Sequence, residues 1–415
     1  MDVEKDVNKR TNKNGVLLCI GNWLSNIGNT IFDYANSILL LTMGEKAVKL
    51  MALYQGSETL ISIFFNLFGG VMADGNKKKR LCIITDSIAA CICFVLVIFF
   101  DSPEIGILVV IANALLALVG AFNSPIYKSI IREVICKERI MRFNSIMHAV
   151  NEGISLVAPV LGLCLVEYIG VRGALLLNGI TFGISALLEV FLKPLPGYET
   201  REIKRRNILT EIAKGFKYML KEKWIFFLVC MSACINFFLS AYNLSLPFTE
   251  NTLGAGYYSK VLVAEAIGGM IGSVICSIFS KSNVPFKNMI IYLGLAGGWL
   301  IAIPKVIMIT GEKHVVLVLF TAFSTFMTIY NINFFTYVQN NVSMDYLGRI
   351  FSIINTVALV FVPLGALVFS YILRFDNMFS YSLVGWGMIS ISLLVFLLSV
   401  TCLRRWIYAM EEKCD

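Results

Sequence analysis

Apolar stretches long enough to cross a bilayer recur along the whole chain, separated by shorter polar loops. About twenty apolar residues in a helix match the ~30 Å hydrocarbon layer, so the pattern predicts a polytopic helical membrane protein. Spans are predicted at 16–41, 48–73, 80–100, 105–126, 145–167, 172–193, 224–248, 258–280, 287–309, 315–338, 349–373 and 378–402. Composition agrees: 15% of residues are charged, where soluble proteins carry about 25%. The first fourteen residues, MDVEKDVNKRTNKN, are polar and of mixed charge. The run after them is too long for a signal-peptide core and lacks a small-residue cleavage site, so it reads as an uncleaved first span.

The formal charge of +8 does not indicate a nucleic-acid partner, because the basic residues sit in the inter-span loops. Loops on one side hold 28 Lys and Arg, and those on the other hold 7. That bias places both termini in the cytoplasm, and an even number of spans agrees. The expected location is the plasma membrane, with the lipid bilayer as a partner. Eleven cysteines include no C-x-x-C pair and no Cys/His cluster of zinc spacing, so neither a metal site nor a disulfide framework is expected. The longest internal loop, residues 193–224, divides the spans six and six. The predicted domains are therefore 1–193, a cytoplasmic linker over 194–223, and 224–415. Within the linker Ile208, Leu209, Ile212, Phe216, Met219 and Leu220 fall near one helical face, which predicts an interfacial amphipathic helix.

A polar stripe runs through the first span. Asn22, Asn26, Asn29, Asp33 and Asn36 are spaced four, three, four, three, along one face of a helix. An offset of 207 residues sets Ser25 on Ser232, Asn29 on Asn236, Asn36 on Asn243, Glu58 on Glu265 and Asn76 on Asn283, with Asp33 falling on Ser240. Two parallel six-span repeats would face such stripes toward a shared cavity rather than toward lipid. The plainer reading is that the amides hold neighbouring helices together by hydrogen bonds. A carboxylate in this setting needs a partner and suits reversible protonation, which makes Asp33 the first candidate for proton coupling. Glu58 and Glu265 follow, as do His148 and Glu152, which share a face with Asn144. The plainer reading of the last two is a structural ion pair. Aromatic and amide residues supply the remaining cavity candidates: Phe122, Asn123, Asn236, Ser240, Tyr242, Asn243, Phe326, Tyr330 and Asn331. Rings offer area and amides offer hydrogen bonds, a combination that suits a small amphipathic organic substrate.

The segment GGVMADGNKKKRLCIITD, residues 69–86, resembles the G-x-x-x-D-R-x-x-R-R/K loop of the major facilitator superfamily. Gly70 and Asp74 match, and Lys78 and Lys79 stand at basic positions. Asp86 matches an acid of the branch that includes macrolide-efflux-type and enterobactin-exporter-like transporters. FNSP at 122–125, Glu138, FNSI at 143–146, APVLG at 158–162, YVQNN at 337–341, LGRI at 347–350 and PLG at 363–365 extend the resemblance over most of the chain. It implies a fold of twelve helices in two pseudo-symmetric bundles and a functional monomer. It also implies a conformational latch, here Gly70, Asp74, Lys78, Lys79, Asp86 and Arg349, and a helix bend at Pro159 and Gly162. Gly75 replaces the family's usual first arginine, span 4 lacks the buried arginine of several proton-antiport branches, and Ala158 stands for the first glycine of the exporter-type G-P-x-x-G.

The chain holds no G-x-x-x-x-G-K-[ST], H-E-x-x-H or G-x-S-x-G, so neither an ATP-driven pump nor an enzyme is expected. The expected function is secondary-active export of amphipathic small molecules, with the proton gradient as energy source and no cofactor. The runner-up is a dedicated siderophore or peptide exporter, or a proton-coupled importer, on the same fold.

Overall fold

A computed structural model describes residues 2–43, 46–75, 77–196, 208–254, 257–279, 285–372 and 378–401. Asn76, Asn283, residues 197–207 of the linker and the C-terminal fourteen residues lie outside the described residues. Helix dominates because a backbone in hydrocarbon must satisfy its own hydrogen bonds. The α-helices are α1 (Asp2–Leu41), α2 (Ala47–Ala73), α3 (Lys78–Ile98), α4 (Ile105–Val134), α5 (Ile140–Val190), α6 (Ile208–Lys221) and α7 (Lys223–Ser245). They continue with α8 (Thr249–Leu253), α9 (Tyr257–Ile278), α10 (Phe286–Thr310), α11 (Lys313–Asn341), α12 (Leu347–Ile372) and α13 (Phe379–Thr401). Ten described helical segments are long and apolar enough to cross a membrane. The asparagine-rich α1 is not among them.

Three local departures from the predicted boundaries have physical causes. α1 begins at Asp2 rather than near residue 16, and an Asp6–Arg10 pair at 2.8 Å supports its polar first turns. Asn14 then anchors it, donating to Val134 O at 3.0 Å and Lys193 O at 2.7 Å while accepting from Lys193 N at 3.1 Å. α4 runs eight residues past the expected end at 126, because its basic end stays helical to Val134. The fifth and sixth predicted spans form the two arms of α5, which breaks at Gly170 (φ 69°, ψ 173°). That left-handed φ is available to glycine without a Cβ clash.

By proximity the chain forms two compact units. The first holds Met1–Lys137, Val157–Gly215 and Val342–Thr356, and the second holds Glu138–Leu156, Phe216–Asn341 and Val357–Asp415. The same helix pairing recurs in each: α2 lies along α4 and α3 on α4 in the first, α9 along α11 and α10 on α11 in the second. Glycine permits both principal contacts. A Cβ on Gly69 would sit 2.3 Å from Ala121 O, and one on Gly268 would sit 2.3 Å from Thr321 O. Large apolar side chains such as Phe64, Leu187 and Leu367 point outward, as expected of lipid-facing surfaces.

The predicted interfacial face of α6 overlaps its buried face only at Met219. Leu209 and Leu220 are exposed, whereas Glu211, Gly215 and Met219 are buried in steps of four. Glu211 is drawn inward by an arginine, described below.

Candidate functional site

In the first unit α1, α3, α4 and the second arm of α5 enclose a cavity of about 380 Å³. From α1 come Asn22, Ser25, Asn26 and Asn29, so the helical spacing of the stripe does present three of its amides to one opening. Asp86 enters from α3, and Asn123, Ser124, Tyr127 and Lys128 enter from α4. Ser185 and Glu189, one turn apart on α5, complete the polar wall, and Ala89, Leu116, Val119 and Phe182 supply the apolar part. Asn123 Nδ2 donates to Asp86 Oδ1 at 2.8 Å, Asn26 to Asn22 Oδ1 at 3.0 Å, and Lys128 Nζ to Asn355 Oδ1 at 3.1 Å. Asp86, assigned to the latch by resemblance, thus belongs to this cavity.

Asp33 and Asn36 lie outside that lining. Tyr54 Oη donates to Asp33 Oδ1 at 2.7 Å and accepts from Asn36 Nδ2 at 3.2 Å. Asn36 is fully buried, while Asp33 and the nearby Glu58 are exposed. The second unit holds a related pair, in which Tyr242 Oη donates to Glu265 Oε1. Rings pack around Tyr242: Phe323 lies 4.9 Å and Tyr381 5.7 Å from it, centroid to centroid. His148 Nδ1 approaches Glu152 Oε1 at 3.5 Å, and Glu152 is close enough to Glu265 to repel it. Asn144 instead ties α5 to α11, donating to Gln339 Oε1 at 2.6 Å and Thr336 Oγ1 at 3.1 Å.

The other second-half candidates bond along their own helices or pack against rings. Asn236 donates to Ser232 O at 2.9 Å and Ser240 to Phe237 O at 2.6 Å. Asn243 is exposed and Asn331 half-buried. Tyr330 stacks near Phe334, and Phe326 packs beside Met141, Cys276 and Ile332. In the first unit Phe122 sits against Phe65 and does not line the cavity. Gly162 meets the Tyr34 ring, where a Cβ would come within 3.1 Å. Pro159 lies within helical α5, and its side chain is outside the described residues.

Asp74 sits in a buried cluster of hydrogen bonds and ion pairs. Gly348 N donates to Asp74 Oδ1 at 2.5 Å, so the carboxylate caps the N-terminus of α12, where the helix dipole favours negative charge. Arg349 Nε donates to Asp74 Oδ2 at 2.5 Å, and its Nη1 donates to Glu211 Oε2 at 2.8 Å. One guanidinium therefore joins two buried carboxylates from α6 and the end of α2. The close approach needs glycine at Gly70, where a Cβ would lie 2.3 Å from Ser352 Oγ, and at Gly348, where it would lie 2.4 Å from Ala73 Cβ. Burial pushes the Asp74 carboxyl up to about 7, with Arg349 and the two amides pulling against it. Lys78 and Lys79 serve other helix ends. Lys78 pairs with Glu133 at 2.6 Å in a buried bridge, and Lys79 donates to Val190 O at 2.7 Å and Leu192 O at 2.9 Å.

Sequence reasoning missed Lys128, Glu133, Glu189 and Glu211. Glu189 was the most legible of these, since it is a lone acid in the apolar run FGISALLEVFL. Glu211 was hidden by its place among the linker charges.

Comparison with known proteins agrees with this architecture. The chain is 24% identical over 303 residues to the MFS-type transporter YkuC of Bacillus subtilis (strain 168), covering 69% of each. It is 24% identical over 252 residues to YfmI of the same organism, covering 58% of this chain and 61% of that one. Among solved structures it resembles a bacterial homologue of iron transporter ferroportin in an outward-facing state, with TM-score 0.69, 15% identity and coverage of 93% and 98%. It also resembles the human organic anion transporter MFSD10 (TETRAN), with TM-score 0.71, 11% identity and coverage of 92% and 99%. At these identities the structures speak for the fold, a multi-pass helical membrane architecture. The Major Facilitator Superfamily model matches residues 18–366, most of the chain, and the protein belongs to that superfamily of transporters.

Proposed function

We propose that this transporter exports amphipathic small molecules across the plasma membrane by alternating access, in exchange for protons. The observation that carries the reading is the cavity of about 380 Å³ in the first unit, with a largely polar lining. Its volume falls near the lower end of the roughly 300–1,000 Å³ usual for small-molecule sites. Amides and hydroxyls face an apolar wall there, a lining suited to molecules with both characters. Membrane carboxylates, among them Asp33, Glu58, Glu152 and Glu265, supply proton-binding groups, with His148 beside Glu152. The Asp74–Arg349–Glu211 cluster would hold one state of the cycle and open in the other. Export is favoured over uptake by the APVLG segment, residues 158–162, and the macrolide-efflux and enterobactin-exporter resemblance points the same way. The termini are placed in the cytoplasm by loop charge, and the working unit is taken to be the monomer.

The test is proton movement in energised inverted vesicles, read by a pH-quenched dye as amphipathic antibiotics, dyes and siderophores are added in turn. Antiport gives substrate-evoked proton release. Protons moving with the substrate would overturn export in favour of symport.

A further inference from the structure

Three buried side-chain oxygens on residues that line the cavity of the first unit have no hydrogen-bond partner among the described residues. Glu189 lines the cavity and is 5% exposed, and its Oε2 is buried with no hydrogen-bond partner among the described residues. Asn123 must turn its amide nitrogen to the Asp86 carboxylate, which only accepts, so its own Oδ1 is left buried and unpartnered. Ser25 Oγ is unpartnered too. Asp86 is 3% exposed and repels Glu189 electrostatically. Other titratable groups near the pair are Cys82 on α3, Tyr127 and Lys128 on α4, and Cys19 on α1. Glu133, farther along α4, is paired with Lys78. Lys128 donates to Asn355 and also lies over the Phe351 ring. A buried carboxylate without a partner is costly, so the natural occupant brings positive charge and N–H groups.

We propose that this cavity seats a protonated amine, with its ammonium at Glu189 and Asp86 and its apolar remainder against Ala89, Leu116 and Phe182. The inference rests on the exporter reading and narrows its substrate class. An ammonium carries three N–H donors, which suits Glu189 Oε2, Asn123 Oδ1 and Ser25 Oγ as acceptors. In the exchange, the empty cavity takes up one proton at Glu189. The arriving ammonium displaces it, and reprotonation releases the amine. One positive charge replaces another at each step, so the exchange balances.

The test uses purified full-length protein and three matched probes: 2-phenylethylamine, its N,N,N-trimethyl analogue and 2-phenylethanol. Calorimetry in weakly buffered solution reads affinity and proton release together. The wild type should bind the amine with proton release, the quaternary ion less tightly, and the alcohol weakly. Glu189→Gln should weaken amine binding about thirtyfold or more and abolish the proton release, leaving the alcohol unchanged. Asp86→Asn gives a second reading should the first variant misfold, with circular dichroism and elution profile as the check. Amine binding and proton release unchanged in both variants would overturn the proposal, as would no measurable amine binding by the wild type. Amine bound with proton release but never moved in vesicles would uphold the cation seat and overturn the exporter reading. Export indifferent to probe charge and to both substitutions would do the reverse.

Discussion

Each unit joins two helices through a tyrosine and a carboxylate, but with the roles exchanged. In the first unit the acid, Asp33, stands on α1 and the tyrosine, Tyr54, on α2. In the second the tyrosine, Tyr242, stands on α7 and the acid, Glu265, on α9. The settings differ more than the pairs. Asp33 is exposed and has an amide, Asn36, on the other side of its tyrosine. Tyr242 is 3% exposed and walled by Phe320, Phe323 and Tyr381. The first unit also holds the Asp86–Glu189 cavity and the Asp74–Arg349–Glu211 cluster. Buried charge gathers in these two clusters of the first unit, and rings gather around Tyr242 in the second.

The comparison breaks most readily at Arg349. Removing it leaves Asp74 and Glu211 buried without their shared cation, and breaking such a bridge costs about 3–5 kcal/mol. Arg349→Ala should therefore lower the unfolding temperature in detergent more than any other single change described here. The loss should also depend on pH. Asp74 is held at about 7, above its ordinary 3.8, so the folded state binds the extra proton between those values. Its contribution to stability is then lost as pH rises through 7, and without Arg349 the carboxyl moves higher still. The variant should be more impaired at about pH 8 than at about pH 6, and equal losses at both would remove Asp74 from the account.

The tyrosines sharpen the contrast between settings. Tyr242→Phe takes the donor from half-buried Glu265 and should cost about 1–3 kcal/mol. Tyr54→Phe should cost less, because water can replace the donor at exposed Asp33. Thermal melts of the two variants side by side give the order directly, and a reversed order would mean that the pairs are not distinguished by exposure. The shared scaffold gives the most even effect. Gly69→Ala and Gly268→Ala each push a methyl to 2.3 Å from a carbonyl oxygen and should cost a similar ~1–3 kcal/mol. A large difference between them would show that α2–α4 and α9–α11 are not equivalent contacts.

Much of this was legible before the structure. Long apolar runs impose helices, and the four-three spacing of Asn22, Asn26 and Asn29 turned them to one face, which the cavity occupies. Spacing reports the face and not the depth, so Asp33 and Asn36 continued the stripe yet bonded with Tyr54 instead. Glu189 and Asp86 are about a hundred residues apart, and nothing local shows that α3 and α5 bring them to one opening. Lys78 was readable as a latch residue only by its loop, and its partner Glu133 lies on a helix that outran its apolar stretch. For α6, apolar periodicity favoured one face, while the ion pair with Arg349 buried Glu211 on another.

Purified protein in liposomes with an imposed pH gradient tests the central claim most directly. With protons free to flow outward, an amphipathic substrate should accumulate inside those vesicles above its external concentration. Collapse of the gradient should bring the two to equality. Accumulation that ignores the gradient, or substrate moving only in the direction of the protons, would contradict proton-coupled exchange.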